Sequence, residues 1–80
     1  MGQIMIKYNE FDLRKNFIAW LLNEKGRNKP DYINVRQDEI LRNRVTFYCH
    51  WVLDDKNINI DYAAFFKNGQ FAEFKQITSE

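Results

Sequence analysis

Cys49 and His50 stand next to each other in the chain, the residue types of a thiol nucleophile and its general base. Neighbours on a strand point to opposite faces, and on a helix they diverge by about 100°, so this dipeptide cannot make a direct thiol–imidazole pair. A buried, inert cysteine is the expected role of Cys49. His50 and Asp61 form a better idea, because a carboxylate orients an imidazole in catalytic pairs. The sequence supplies no nucleophile, oxyanion-stabilising glycine loop or cleft to go with them, so a structural or interface role is expected for both.

One histidine and one cysteine do not make a zinc site, which needs three or four compactly spaced ligands. Asp54, Asp55, Asn57 and Asn59 resemble a fragment of a calcium loop, but the required glycine and the bidentate glutamate at the twelfth position are missing. A hairpin turn is the expected structure there. Gly2, Gly26 and Gly69 are isolated from one another, so no phosphate-cradling loop is present. The expectation is a protein with no enzymatic activity, metal or cofactor.

The elements that would position these residues follow from hydrophobic periodicity. Ile4, Ile6 and Tyr8 alternate with Met5 and Lys7, the period of a short strand. Asn9 with Asp12 forms a relaxed capping box, flanked by Tyr8 and Leu13 as a hydrophobic staple, so a helix should begin near Glu10. Its apolar arc contains Phe11, Leu13, Phe17, Ile18, Trp20, Leu21 and Leu22, with Asp12, Lys15, Asn16 and Asn23 facing away. Gly26 is placed to end it in the left-handed conformation, and Lys25, Arg27 and Lys29 complement the negative end of the helix dipole before Pro30.

Residues 32–36 read as a short strand, and residues 37–43 fit a turn, a helical turn or the start of a longer strand. Residues 45–53 fit both a helix and a strand by periodicity, but their Val, Thr, Phe, Tyr and Trp content favours a strand. A four-residue turn at residues 54–57 pairs Leu53 with Ile58, Trp51 with Ile60, Cys49 with Tyr62, Phe47 with Ala64 and Val45 with Phe66, an apolar face throughout. The other face then pairs His50 with Asp61, Tyr48 with Ala63, Thr46 with Phe65 and Arg44 with Lys67. Asn68-Gly69 signals a second hairpin into residues 71–77, where a bulge would turn Ala72 and Phe74 inward, opposite Phe66 and Ala64. The expected fold is α+β: one amphipathic helix on an antiparallel sheet of about four to five strands, in β-α-β-β-β-β order. Trp20 and Trp51 should both be buried between the helix and the sheet.

On that register Tyr48, His50 and Phe65 are exposed on the outer sheet face, with Phe71 at its edge and Arg44, Thr46 and Lys67 around them, and Arg42 at the margin. Exposed aromatics on a rigid sheet are either interface anchors or stacking platforms for single-stranded nucleic acid. The first reading, a small protein-binding regulator or inhibitor, leads; a nucleic-acid-binding module is the alternative, although the glycine-aromatic signature of RNA-recognition sheets is missing. Homodimerisation through the same face would also hide these residues.

Composition sets the outer bounds. Eighty residues allow one domain spanning 1–80, and the 16% aromatic content supplies the apolar mass that so small a core needs. Net charge is +1, but residues 14–44 carry eight basic and four acidic side chains, whereas residues 45–80 carry three and five. That asymmetry gives a nucleic-acid binder only a weak positive field. The lone cysteine and the lack of a secretory or membrane-spanning run place the expected protein in the cytoplasm and away from membranes. Abundant Asn, Ile and Lys are compatible with an AT-rich coding genome, such as that of a phage or other mobile element.

Overall fold

The computed structural model describes residues 8–38 and 42–78. It is an α+β fold: helix α1 (Glu10–Lys25), then strands β1 (Tyr32–Gln37), β2 (Arg44–Leu53), β3 (Lys56–Lys67) and β4 (Gln70–Gln76). The four strands form one antiparallel sheet in the order β1-β2-β3-β4. The strand expected over Ile4–Tyr8 lies, except for Tyr8, outside the described residues. No helix among the described residues is long and apolar enough to cross a membrane.

Both ends of α1 follow the local chemistry. The Asn9 side chain accepts a hydrogen bond from the Asp12 amide at 3.0 Å, satisfying one of the donors that the first turn leaves open. Gly26 closes the helix at φ 64°, and its amide donates to the Leu21 carbonyl. The stripe that α1 buries is narrower than the apolar arc in its sequence. Leu13, Phe17 and Leu21 are buried and Trp20 is half-buried, while Phe11 and Leu22 stay largely exposed. One helix lying on one sheet contacts it along a single face, so apolar residues on the rest of the arc do not reach the sheet; Phe11 has the Lys15 ammonium over its ring instead.

Phe17 is the centre of the core. Its ring stacks on Phe47 at 4.2 Å and 11°, and meets Tyr62 and Phe74 at steeper angles. Around it, Val45, Phe47, Cys49, Trp51, Ile60, Tyr62, Ala64 and Phe66 complete the inner sheet face. Trp51 is buried as expected, and its indole N–H donates to the Asn28 carbonyl at 2.9 Å, tying the α1–β1 loop to the sheet. Trp20 is only half-buried because it lies on the flank of α1 that faces β4, against Tyr62 and Phe74. Lys25 and Arg27 place their cations over the Trp20 and Trp51 rings, so part of the basic cluster after the helix packs on the core's aromatic margin.

The β2–β3 register corrects the expected one by two residues. The turn is Asp54-Asp55 alone, with φ of 49° and 64°, and Leu53 faces Lys56. Trp51 therefore pairs with Ile58, Cys49 with Ile60, Phe47 with Tyr62 and Val45 with Ala64. Two consecutive residues in the left-handed region suit the primed hairpin turns, whose twist matches that of the strands. A shift of two leaves every side chain on its expected face and changes only its partner.

The second hairpin also turns on two residues, Asn68 and Gly69, both at positive φ. Phe74 faces Ala64 as expected, but Phe66 faces Phe71, and the register then shifts so that Phe65 faces Glu73. Ala72 is thus the extra residue of the bulge and is exposed, while Phe71 turns to the helix side and meets Phe66 and Phe74.

Phe17→Ala should cost about 3–5 kcal/mol, because truncation leaves a cavity at the point where four elements meet. Phe11→Ala, on the same helix but outside the buried stripe, should change stability by no more than about 0.5 kcal/mol. Denaturant unfolding of the two variants checks this, and equal losses would place the helix on the wrong face.

Candidate functional site

The outer sheet face is built from alternate residues of the strands. Across its middle run Arg36, Thr46, Ala63 and Lys75, each opposite the next. Thr46 and Ala63 are buried although they face away from the helix: small side chains in the centre are closed over by the longer ones around them. Toward one end the next rows are Asn34, Tyr48 and Asp61, then Tyr32, His50 and Asn59. Toward the other end, Arg44, Phe65 and Glu73 lie opposite one another.

The residues expected to act together are separated by this arrangement. Tyr48 is 44% exposed, and Tyr32, diagonally across from it on β1, is 69% exposed. The Tyr32 ring stands edge-on to His50 at 5.7 Å. His50 faces Asn59 and not Asp61, so the suspected catalytic pair does not form. Its Nε2 lies 2.9 Å from Asn57 Oδ1, the spacing of a hydrogen bond that Nε2–H donates to the Asn57 carbonyl oxygen. Asp61 instead faces Tyr48, and its backbone is tied to the chain after β4: its amide donates to Thr78 Oγ1 and its carbonyl accepts from Ile77 N.

Phe65 and Arg44 lie at the far end and are less available than Tyr48. Phe65 is half-buried, with the Lys75 ammonium 5.8 Å from its ring centre. Arg44 turns back to Asp38 in an ion pair of 2.7 Å, and its buried Nε has no hydrogen-bond partner among the described residues. Arg42 is exposed in the turn before β2, and Lys67 beside the β3–β4 turn. Phe71 is not on this face. Sequence reasoning missed Tyr32, whose strand was expected but had no assigned neighbour; the alternation Tyr32, Asn34, Arg36 against Ile33, Val35 was the available signal.

Two further features bear on chemistry. Cys49 lies on the inner face, buried, with its thiol 3.7 Å from the Phe47 carbonyl, while the adjacent His50 is on the outer face. Burial, with a smaller contribution from the Asp61 charge, pushes the thiol up from 9.0 to about 12. Below α1, a cleft of about 220 Å³ is lined by Tyr8, Asn9, Asp12, Leu13, Asn16, Phe66, Phe71 and Phe74. Its polar lining residues are Tyr8, Asn9, Asp12 and Asn16, set among aromatic rings. Among the described residues no three His, Cys, Asp or Glu side chains gather in a group that could hold a metal ion.

Because the folded thiol keeps its proton where the unfolded one loses it, Cys49 gives a definite pH dependence. Its contribution to stability is fully present below pH 9.0 and falls as pH rises from 9.0 toward about 12. At pH 8 the native protein should resist iodoacetamide and react only after denaturation; rapid native alkylation would contradict the buried inner-face placement. No protein-family model, curated protein or solved structure matches this chain, so a function has to be argued from the chemistry of these surfaces.

Proposed function

We propose that the protein is a non-catalytic binding module, a small regulator or inhibitor that engages a protein partner through the outer face of its sheet. The observation that carries this reading is the cluster of Tyr32 and Tyr48, both exposed, around the half-buried His50 on adjacent strands of one sheet. Tyrosines held by a rigid backbone bury much area at small entropic cost, and tyrosine, tryptophan and arginine dominate measured interface energies. Asn34, Asn57 and Asn59 surround the cluster with amides able to form a polar rim.

The charge pattern favours protein over nucleic acid. Arg44 is neutralised by Asp38, Lys75 sits within 3.6 Å of Glu73, and the Asp61 carboxylate shares the row of Tyr48. A single-strand binder needs a continuous positive groove beside its aromatics. Among the described residues Arg42 and Lys67 make no ion pair and lie at the opposite end of the face from the exposed tyrosines, and Arg36 is the one cation without an ion pair in the middle row between them.

Capture of partners from the cells of origin, with nuclease treatment, followed by titration of alanine variants, tests this. Tyr48→Ala and Tyr32→Ala should each weaken binding by about 2 kcal/mol or more, roughly 30-fold, whereas Arg42→Ala and Lys67→Ala should have small effects. The protein should also pass through immobilised heparin at physiological salt. Retention well above that salt, with affinity lost mainly on removing Arg42 and Lys67, would replace this reading with nucleic-acid binding.

A further inference from the structure

The sheet has two edges, and they differ. β4 carries a bulge at its extra residue and the charged Glu73 and Lys75, the devices that keep an edge from pairing with another chain. β1 runs in unbroken register from Tyr32 to Gln37, has no proline, and carries one charge, Arg36. Among the described residues no strand pairs with its outer edge, and backbone groups are open there. The Asp38 amide donates to the Arg44 carbonyl, and in an antiparallel ladder such residues alternate, so Arg36, Asn34 and Tyr32 also direct their amides and carbonyls to β2. Ile33, Val35 and Gln37 therefore direct theirs outward, away from the sheet.

We propose that β1 is the seam of a symmetric homodimer in which it pairs antiparallel with β1 of a second copy, joining two four-stranded sheets into one of eight strands. The outward groups allow more than one register, and the side chains favour the one centred on Asn34. Ile33 and Val35 of one copy then form hydrogen-bonded pairs with Val35 and Ile33 of the other, giving four backbone hydrogen bonds from the outward amides and carbonyls.

The same register is self-complementary in side chains. Ile33 and Val35, both half-buried on the helix side, cover each other across the seam. On the outer face Tyr32 meets Arg36 of the second copy, twice, an arrangement suited to a cation over an aromatic ring. Asn34 meets Asn34 on the two-fold axis, where two amides can exchange hydrogen bonds and a charged residue would repel its copy. Shifting the centre to Val35 sets Arg36 against Asn34 and Ile33 against Gln37, losing both matches. This inference does not rest on the partner-binding reading of the outer face, although Tyr32 takes part in both.

Directly opposed residues of a non-hydrogen-bonded pair have Cα atoms about 4.5 Å apart, within reach of a disulfide. Under mild oxidation Asn34→Cys should form a covalent dimer. Tyr32→Cys and Arg36→Cys should each remain uncross-linked alone, because four residues of offset separate each from its own copy by roughly 13 Å, but an equimolar mixture of the two should cross-link. The native Cys49 is buried and does not compete. Val35→Pro removes an outward amide that β2 does not use, and should abolish the dimer while leaving the far-ultraviolet circular dichroism intact. Cross-linking of all three single variants alike, or of none including the mixture, would overturn the proposal. So would a wild type whose sedimentation mass stays that of a monomer up to about 0.5 mM, a concentration at which even weak pairing is populated.

Discussion

The two-residue turn at Asp54-Asp55 is the constraint on which the rest of the structure depends. Both residues occupy the left-handed region, which costs an L-residue roughly 1–2 kcal/mol and which aspartate tolerates better than most. What offsets that cost is the longest ladder in the protein, from Leu53–Lys56 to Arg44–Phe65. Its register places Tyr62 opposite Phe47, so that Phe17 meets both rings at once. It also sets Thr46 against Ala63, putting the two small residues of the outer face in the same row. A larger turn would have brought Phe65 against Thr46 and opened the centre of that face.

From this ladder the two faces acquire different characters. The inner one is aromatic and closed by a single helix whose buried stripe is three residues and a flanking indole. The outer one has no covering element among the described residues, and its long side chains lie down on each other: Lys75 on Phe65, Arg44 against Asp38, His50 beside Tyr32 and Asn57. Those contacts leave Tyr32, Tyr48 and Val52, toward the same end of the face, as its exposed apolar groups. The same end of the sheet has the unprotected strand edge, so both proposed interactions concern one side of the molecule.

Much of this was legible in the sequence, and the reasons are physical. Helix boundaries were marked by Asn9 and Gly26, whose side-chain chemistry and positive φ are local properties. Which residues of β2 and β3 face the core was legible because alternation has a period of two. That period also explains the failure to choose the partner: registers two apart look identical to any pattern of alternation, and Asp-Asp is a weaker turn signal than Asn-Gly. Hence the mistaken pairing of His50 with Asp61. The bulge at Ala72 shows the opposite sensitivity, since misplacing one residue exchanged the faces of Ala72 and Phe71. Ion pairing of Arg44 with Asp38 was invisible because it spans a segment whose conformation the sequence left open.

The central claim is the register itself, and interstrand proton contacts read it directly. In the non-hydrogen-bonded pairs of an antiparallel ladder the two α-protons face each other closely. A nuclear Overhauser spectrum should therefore show strong α-proton contacts between Tyr48 and Asp61 and between Thr46 and Ala63. Contacts between His50 and Asp61 and between Tyr48 and Ala63 in their place would contradict the account, restoring the wider turn and dissolving the outer face as described.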